Sequence, residues 1–436
     1  MTVNLLDPHS QPAPPASIDD FTRRHGEASI PVDCSRRGGD LLLGSWRFVA
    51  QDYNRAFRDL LPRVGEYAHR LGHERQQLPL LIARLQAKSP ASRVLVEADP
   101  AFHTWALGEW LIEESQRASY VDFGRAESLA DCAVIVAERL LAERYGGALI
   151  NDLRARAWAC RGETLRRRSD FREAQKSFEA AESFVARGSG DPLEKAFVLE
   201  LKAAFYRDRR CPAEAHRALD ETIATYKRYG DTHFLGRAFA QKGRVYGATG
   251  DLNRAMSWLR KGLGLLDPTC ERYVDLATRH SLMVYLEESG RPREARFLLK
   301  ASRDEFQRYG SPLLLFRLRW LEGKIYEALS FPQEAERALR EARSGFIELE
   351  VGFSAAAVSL DLASLCAGQG RISEVRCLAE EILAIFQSRD LEHEAIAALI
   401  AFRQAASLEI SDGRLADLQR TLDLARQEPA LRSERA

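Results

Sequence analysis

Five alanines recur along this chain at almost constant spacing. Ala174, Ala215, Ala255, Ala295 and Ala335 stand 41, 40, 40 and 40 residues apart, and Val375 takes the next place after a further 40. A fixed period between about 20 and 50 residues marks a solenoid, in which each unit leaves an apolar face that only a similar neighbour covers. Other positions return with the alanines. Twelve residues earlier stand Gly162, Ala203, Gly243, Met283, Gly323 and Ala363. A small side chain there lets one helix approach its partner closely, with Met283 the exception. Nine residues earlier stand Leu165, Tyr206, Tyr246, Leu286, Tyr326 and Cys366, expected to fill the groove between successive hairpins. Four residues later stand Phe178, Leu219, Leu259, Leu299, Leu339 and Ala379, facing the same core one helical turn on.

Turn signals agree with paired helices. Pro212, Pro292 and Pro332 open three of the second helices, where a missing N–H costs nothing. Gly250, Gly290 and Gly370 lie where a first helix must end and reverse, and Asp251 is placed to cap the helix that follows. "RYGD" at 228–231 and "RYGSP" at 308–312 repeat as linkers between hairpins. The expected fold is all-α, a solenoid of antiparallel helix hairpins behind an N-terminal helical segment. Residues 1–40, rich in Pro, Ser, Gly and charge, are expected to form a flexible tail. Apolar residues at helical spacing, from Trp46 to Leu61 and again over 78–86, make 41–104 an N-terminal helical region. The array spans 105–428 and a short tail 429–436. Its first hairpin runs from Trp105 to about Tyr145, followed by a longer linker "RYGGALINDL", and its last pair, about 391–428, is the cap.

In "GRVYGATGDLNRAMSWLRKGL" and "GKIYEALSFPQEAERALREA" the small–x–x–Tyr, turn, Ala and Leu positions resemble the tetratricopeptide repeat family. The 40-residue unit is similar to the longer form found in bacterial signal-responsive regulators and in adaptors that bind partner peptides. The resemblance implies a superhelix whose first helices line a concave face. Two departures stand out. The position before the small residue, commonly leucine in the family, is Arg161, Lys202, Lys242 and Glu322 in four repeats. The family's paired Asn and Lys positions of the carboxylate clamp are not reproduced, which argues against recognition of a chaperone C-terminal tail.

Composition narrows the function classes. With 63 basic and 63 acidic residues the formal net charge is zero, so neither nucleic acid nor an anionic membrane is an expected partner. Arginine exceeds lysine about six to one, so runs such as Arg166-Arg167-Arg168 or Arg207-Asp208-Arg209-Arg210 read as solvated helix faces. Seven cysteines without a C-x-x-C pair fit a reducing compartment, and no signal peptide opens the chain, so the expected location is the cytoplasm. Cys366 and Cys377 are expected to be small buried residues on the two helices of one hairpin. His69 and His73, four apart, lack a third zinc ligand. No nucleophile elbow, kinase set, phosphate loop or paired carboxylates are present, so no enzyme activity, metal or cofactor is expected.

Carrying the family's lining positions onto this sequence selects Arg237, Gln241 and Arg244 in one repeat and Arg317, Trp320, Leu321 and Lys324 two repeats on. Arg237 and Arg317, like Arg244 and Lys324, stand 80 apart. They are read as a basic stripe for an acidic or carboxylate-bearing peptide or protein, with Trp320 as an apolar anchor. The leading expectation is a non-catalytic interaction scaffold or regulatory adaptor. The alternative is a signal-responsive regulator with the array as sensor and 41–104 as output.

Overall fold

The computed structural model describes residues 66, 68–87, 92–168, 170–349 and 351–387. Packing divides the chain into Met1–Ala68 and His69–Ala436, and nearly everything described belongs to the second unit. Among the described residues every regular element is helical. A helix over 68–87 (α1) and α2 (Ser92–Ala98) lead, through a short 3-10 turn, into α3 (Trp105–Ala118) and α4 (Phe123–Arg139). A one-turn helix, α5 (Ala142–Tyr145), precedes six further hairpins. These are α6 (Gly147–Arg167) with α7 (Phe171–Val185), α8 (Pro192–Asp208) with α9 (Pro212–Tyr229), and α10 (Thr232–Ala248) with α11 (Leu252–Leu263). Then come α12 (Arg272–Glu288) with α13 (Pro292–Tyr309), α14 (Pro312–Ala328) with α15 (Pro332–Glu348), and α16 (Gly352–Gly368) with α17 (Ile372–Gln387).

The recurring residues occupy equivalent places. All five alanines of the ladder are 0% exposed and Val375 is 2% exposed. A Cβ on Gly243 would lie 2.9 Å from the Ala255 carbonyl oxygen and 2.9 Å from Leu259; one on Gly323 would lie 2.8 Å from Leu339. The small residue, the alanine and the leucine of each repeat therefore meet at one crossing, where the two helix backbones nearly touch. Met283 is accommodated in the core beside Ala295 and Leu299. Tyrosines fill the groove between hairpins: the Tyr246 ring lies 4.5 Å from His216, and Arg296 lies over Tyr326 at 5.7 Å.

The four charges that replace the family's leucine have a common use. Arg161 pairs with Asp131 at 2.8 Å and Lys202 with Glu182 at 2.5 Å. Lys242 pairs with Asp220, and Glu322 with Arg303. Each partner sits on the second helix of the preceding hairpin, so these residues tie one unit to the next by charge where the family uses apolar contact.

The N-terminal helices are packed onto the first hairpin. The buried Glu74 carboxylate accepts from the Tyr145 hydroxyl at 2.5 Å, from Arg144 at 2.6 Å and from the Ala106 amide at 3.3 Å. Arg139 bridges to Glu97 at 2.9 Å. Residues 69–104 thus share one compact unit with the hairpins. Two readings change. "RYGGALINDL" is no linker, because its residues after Gly146 form the first turns of α6, the longest helix among the hairpins at 21 residues. Cys366 is buried, whereas Cys377 is exposed, on the outward side of α17; all the described cysteines are free. His69 and His73 are both exposed on α1, and no group of three metal-type side chains occurs among the described residues. The tails, most of 41–67 and the pair at 391–428 lie outside the described residues.

Candidate ligand-binding cavity

The first helices of six successive hairpins, α6, α8, α10, α12, α14 and α16, wall a cavity of about 1340 Å³. Their placement follows from the crossing described above: the small and aromatic positions face the second helices, which leaves the opposite face to look inward. The turn between α3 and α4 completes the wall. Its Tyr120 stacks on Tyr273 of α12 with ring centroids 5.8 Å apart and planes at 6°. Arg167 lies over the Tyr120 ring at 4.8 Å and donates to the Ser119 carbonyl at 2.9 Å.

All seven residues selected from the sequence line this cavity. They do not form one uniform basic stripe. Arg237 is 9% exposed and held between two carboxylates, Nε donating to Glu200 Oε1 at 2.9 Å and Nη1 to Glu271 Oε1 at 3.0 Å. Burial pushes the Glu200 carboxyl upward, and Arg237 and the Tyr226 hydroxyl, which donates to it at 3.2 Å, act against that. Lys324 is paired with Glu287 at 3.3 Å. Trp320 donates its indole N–H to Asp361 at 2.5 Å and packs edge-on against Phe346 at 6.2 Å. Leu321 is 3% exposed and belongs to the apolar core beneath the wall. Gln241 accepts from Arg207 Nη1 at 3.4 Å.

Arg244 differs from these. Its Nη2 donates to Thr278 Oγ1 at 3.1 Å, and no described carboxylate lies within ion-pair distance of it. Burial, followed by the repulsion of Arg207, brings its guanidinium down to about 10. Nearby His280 is pushed down to about 4, first by burial and then by Arg317, and is therefore neutral at physiological pH; its Nε2 is buried with no described partner. At the α6 end of the wall the cations do have carboxylate partners. There Glu163 receives Arg166 and Arg167 at 2.7 Å each, and although burial opposes ionisation these two guanidiniums hold its carboxyl down at about 2. Asp208 is shared between Arg166 and Arg207.

Arg207, Tyr120, Tyr273, His280 and Asp361 also line the cavity and were not among the residues selected from the sequence. A signal for Arg207 existed. Eight residues before the ladder stand Arg166, Arg207, Gly247, Glu287 and Glu327, a position that turns from basic to acidic along the array. Tyr120 had none, because it lies outside the repeat.

No family model matches the chain, and no curated protein matches it. Solved structures do. A signal transduction ATPase with numerous domains from Pyrococcus horikoshii, carrying a tetratricopeptide repeat sensor, matches 81% of this chain and 52% of its own at 15% identity and a TM-score of 0.53. The apo form of the quorum sensor NprR from B. thuringiensis matches 75% of this chain and 96% of its own at 13% identity and a TM-score of 0.51. The apo form of RapI matches 73% and 86% at 14% identity and a TM-score of 0.50. The fold is a tetratricopeptide-like α-solenoid. The chain spans about half the length of the archaeal ATPase. Among the described residues no helix of this solenoid is long and apolar enough to cross a membrane.

Proposed function

We propose that this chain is a non-catalytic regulatory scaffold that takes a peptide, or an extended segment of a partner protein, inside its concave cavity. The observation that carries this reading is the cavity itself. At about 1340 Å³ it exceeds the roughly 300–1,000 Å³ typical of small-molecule sites. It mixes polar groups from α8, α10 and α12 with the apolar Trp320 and Leu314 of α14, as expected of a groove that reads side chains along an extended ligand. Arg237, Gln241, Arg244, Arg317, Trp320, Leu321 and Lys324 form its contact set. The partner is a protein or peptide of acidic character, and the scaffold works in the cytoplasm.

Blocking the cavity tests this. Ala277 lines the cavity from α12, and Ala277→Trp fills the space without removing an ion pair. Affinity purification from native lysate with the full chain should recover a partner that the filled variant loses. Equal recovery by both proteins places binding elsewhere. Two of the structural neighbours are named as sensors, which favours a second reading, a signal-responsive regulator with the array as its sensor. In that case the captured ligand should change the output of the region before the hairpins. A mobility shift on DNA at low salt that fades as salt rises would assign that output.

A further inference from the structure

Inside the cavity the charges do not balance. Eight lysines and arginines face five carboxylates along its wall, in a chain whose formal net charge is zero. Four of these cations are already satisfied: Arg166 and Arg167 by Glu163, Arg237 by Glu200 and by Glu271 behind the wall, Lys324 by Glu287, also behind it. Arg207 on α8 and Arg244 on α10 are less fully answered. Arg207 has only a share in Asp208, which also serves Arg166. Arg244 has no carboxylate among the described residues and bonds only a threonine hydroxyl.

The two guanidiniums are neighbours. Gln241, one turn before Arg244 on α10, accepts from Arg207, and the two positive charges repel each other. Like charges held side by side in a partly shielded cavity repel each other, and an anion between them removes that cost. The adjacent His280 leaves a buried ring nitrogen with no described partner, a further polar atom facing the same space. An anion or polar ligand group placed in the cavity would answer each of these features.

We propose that Arg207 and Arg244 form an anion receptor in the cavity, the anchor for a carboxylate of the bound ligand, with Gln241 holding Arg207 in place. A planar guanidinium offers paired donors that match a carboxylate's two oxygens. This inference rests on the reading of the cavity as a peptide site. It differs from the seven-residue stripe in adding Arg207 and in releasing Arg237 and Lys324, whose charges are spent within the fold.

Three libraries of random octapeptides distinguish the sources of the carboxylate. The first lacks Asp and Glu and ends in a free carboxylate. The second lacks Asp and Glu and ends in an amide. The third ends in an amide but contains Asp and Glu. Each is passed over immobilised full-length chain, and selected peptides are measured by calorimetry. The expected result is retention from the first or third library, identifying a terminal or a side-chain carboxylate, and none from the second. Arg207→Gln and Arg244→Gln should each weaken the selected peptide about 10- to 100-fold, and together by less than the product. Ligand-free Arg244→Gln should melt no lower than the parent, since it removes an unbalanced charge. Equal retention from the second library, or full affinity in both variants while Trp320→Ala loses binding, overturns the anchor and leaves the cavity reading intact. A lower melting temperature for Arg244→Gln overturns the premise of an unsatisfied charge. Retention from no library overturns the cavity reading and the anchor with it.

Discussion

Positions 210, 250, 290, 330 and 370 all adopt the left-handed backbone that ends the first helix of a hairpin, with φ of 56°, 82°, 74°, 62° and 73°. Glycine occupies three of them. Arginine and serine occupy the other two at a cost of about 1–2 kcal/mol in the folded chain, partly offset because glycine loses more freedom on folding. Ser330→Gly should therefore raise stability by about 0.5–1 kcal/mol, seen as a higher urea midpoint at unchanged slope; a lower midpoint would mean that Ser330 makes a compensating contact. A second prediction concerns Glu194 on α8. Burial, only partly opposed by Arg156 at 4.0 Å and reinforced by Asp152, Asp191 and Glu109, pushes its carboxyl up to about 7. The folded chain then binds a proton more tightly than the unfolded chain, whose carboxyl ionises near 4.5. The stability this supplies is full below about 4.5 and lost as pH rises through about 7. Glu194→Gln should leave stability near pH 4.5 little changed and add on the order of 2 kcal/mol at pH 8. Glu327 is pushed to about 7 in the same sense, first by burial and then by Asp361, so part of the pH dependence should survive in the variant. Parallel melting curves for both proteins across this range would refute the assignment.

The helices were legible from their spacing because a hairpin's crossing accepts few residue types. Gly243 and Ala255 recur as small residues since a side chain on either would separate α10 from α11. Gly243→Ala places a methyl 2.9 Å from the Ala255 carbonyl oxygen. The obstacle is backbone and cannot rotate aside, so a loss of about 1–3 kcal/mol is expected by chemical denaturation, and a neutral result would show that the hairpin can open there. The same helices touch again at Gly236 and Gly262, where added Cβ atoms would lie 2.9 Å and 2.8 Å from the facing backbone. That second crossing lies outside the positions read from the repeat, although a small residue stands seven places after the ladder in five units, at Ala181, Thr222, Gly262, Ser302 and Ala342. Nor were the carboxylates that answer Arg161, Lys202 and Lys242 visible, since each lies on a neighbouring hairpin at a separation that varies from 20 to 30 residues.

A solenoid ordinarily joins each unit only to its neighbours. Here the turn after α3 reaches across the array. Tyr120 stacks on Tyr273, and Phe123 packs against the core built by α14 to α17. These contacts close the wall of the cavity and are expected to set its curvature. Combined Tyr120→Ala and Phe123→Ala substitutions should increase the radius of gyration in solution scattering while leaving the helical circular dichroism unchanged; an unaltered scattering profile would show that neighbour contacts alone set the curvature. The sequence by itself determined the unit, its register and its inward face, because a repeated crossing imposes the same small, aromatic and apolar residues each time. Read with the lining positions that the family resemblance implies, it also pointed to Arg237, Gln241, Arg244, Arg317, Trp320, Leu321 and Lys324, which line one cavity. Only the tertiary structure decided which of their charges remain unspent. A charge is balanced by whatever lies opposite in space, and those partners come from other units, at distances along the chain that no period records.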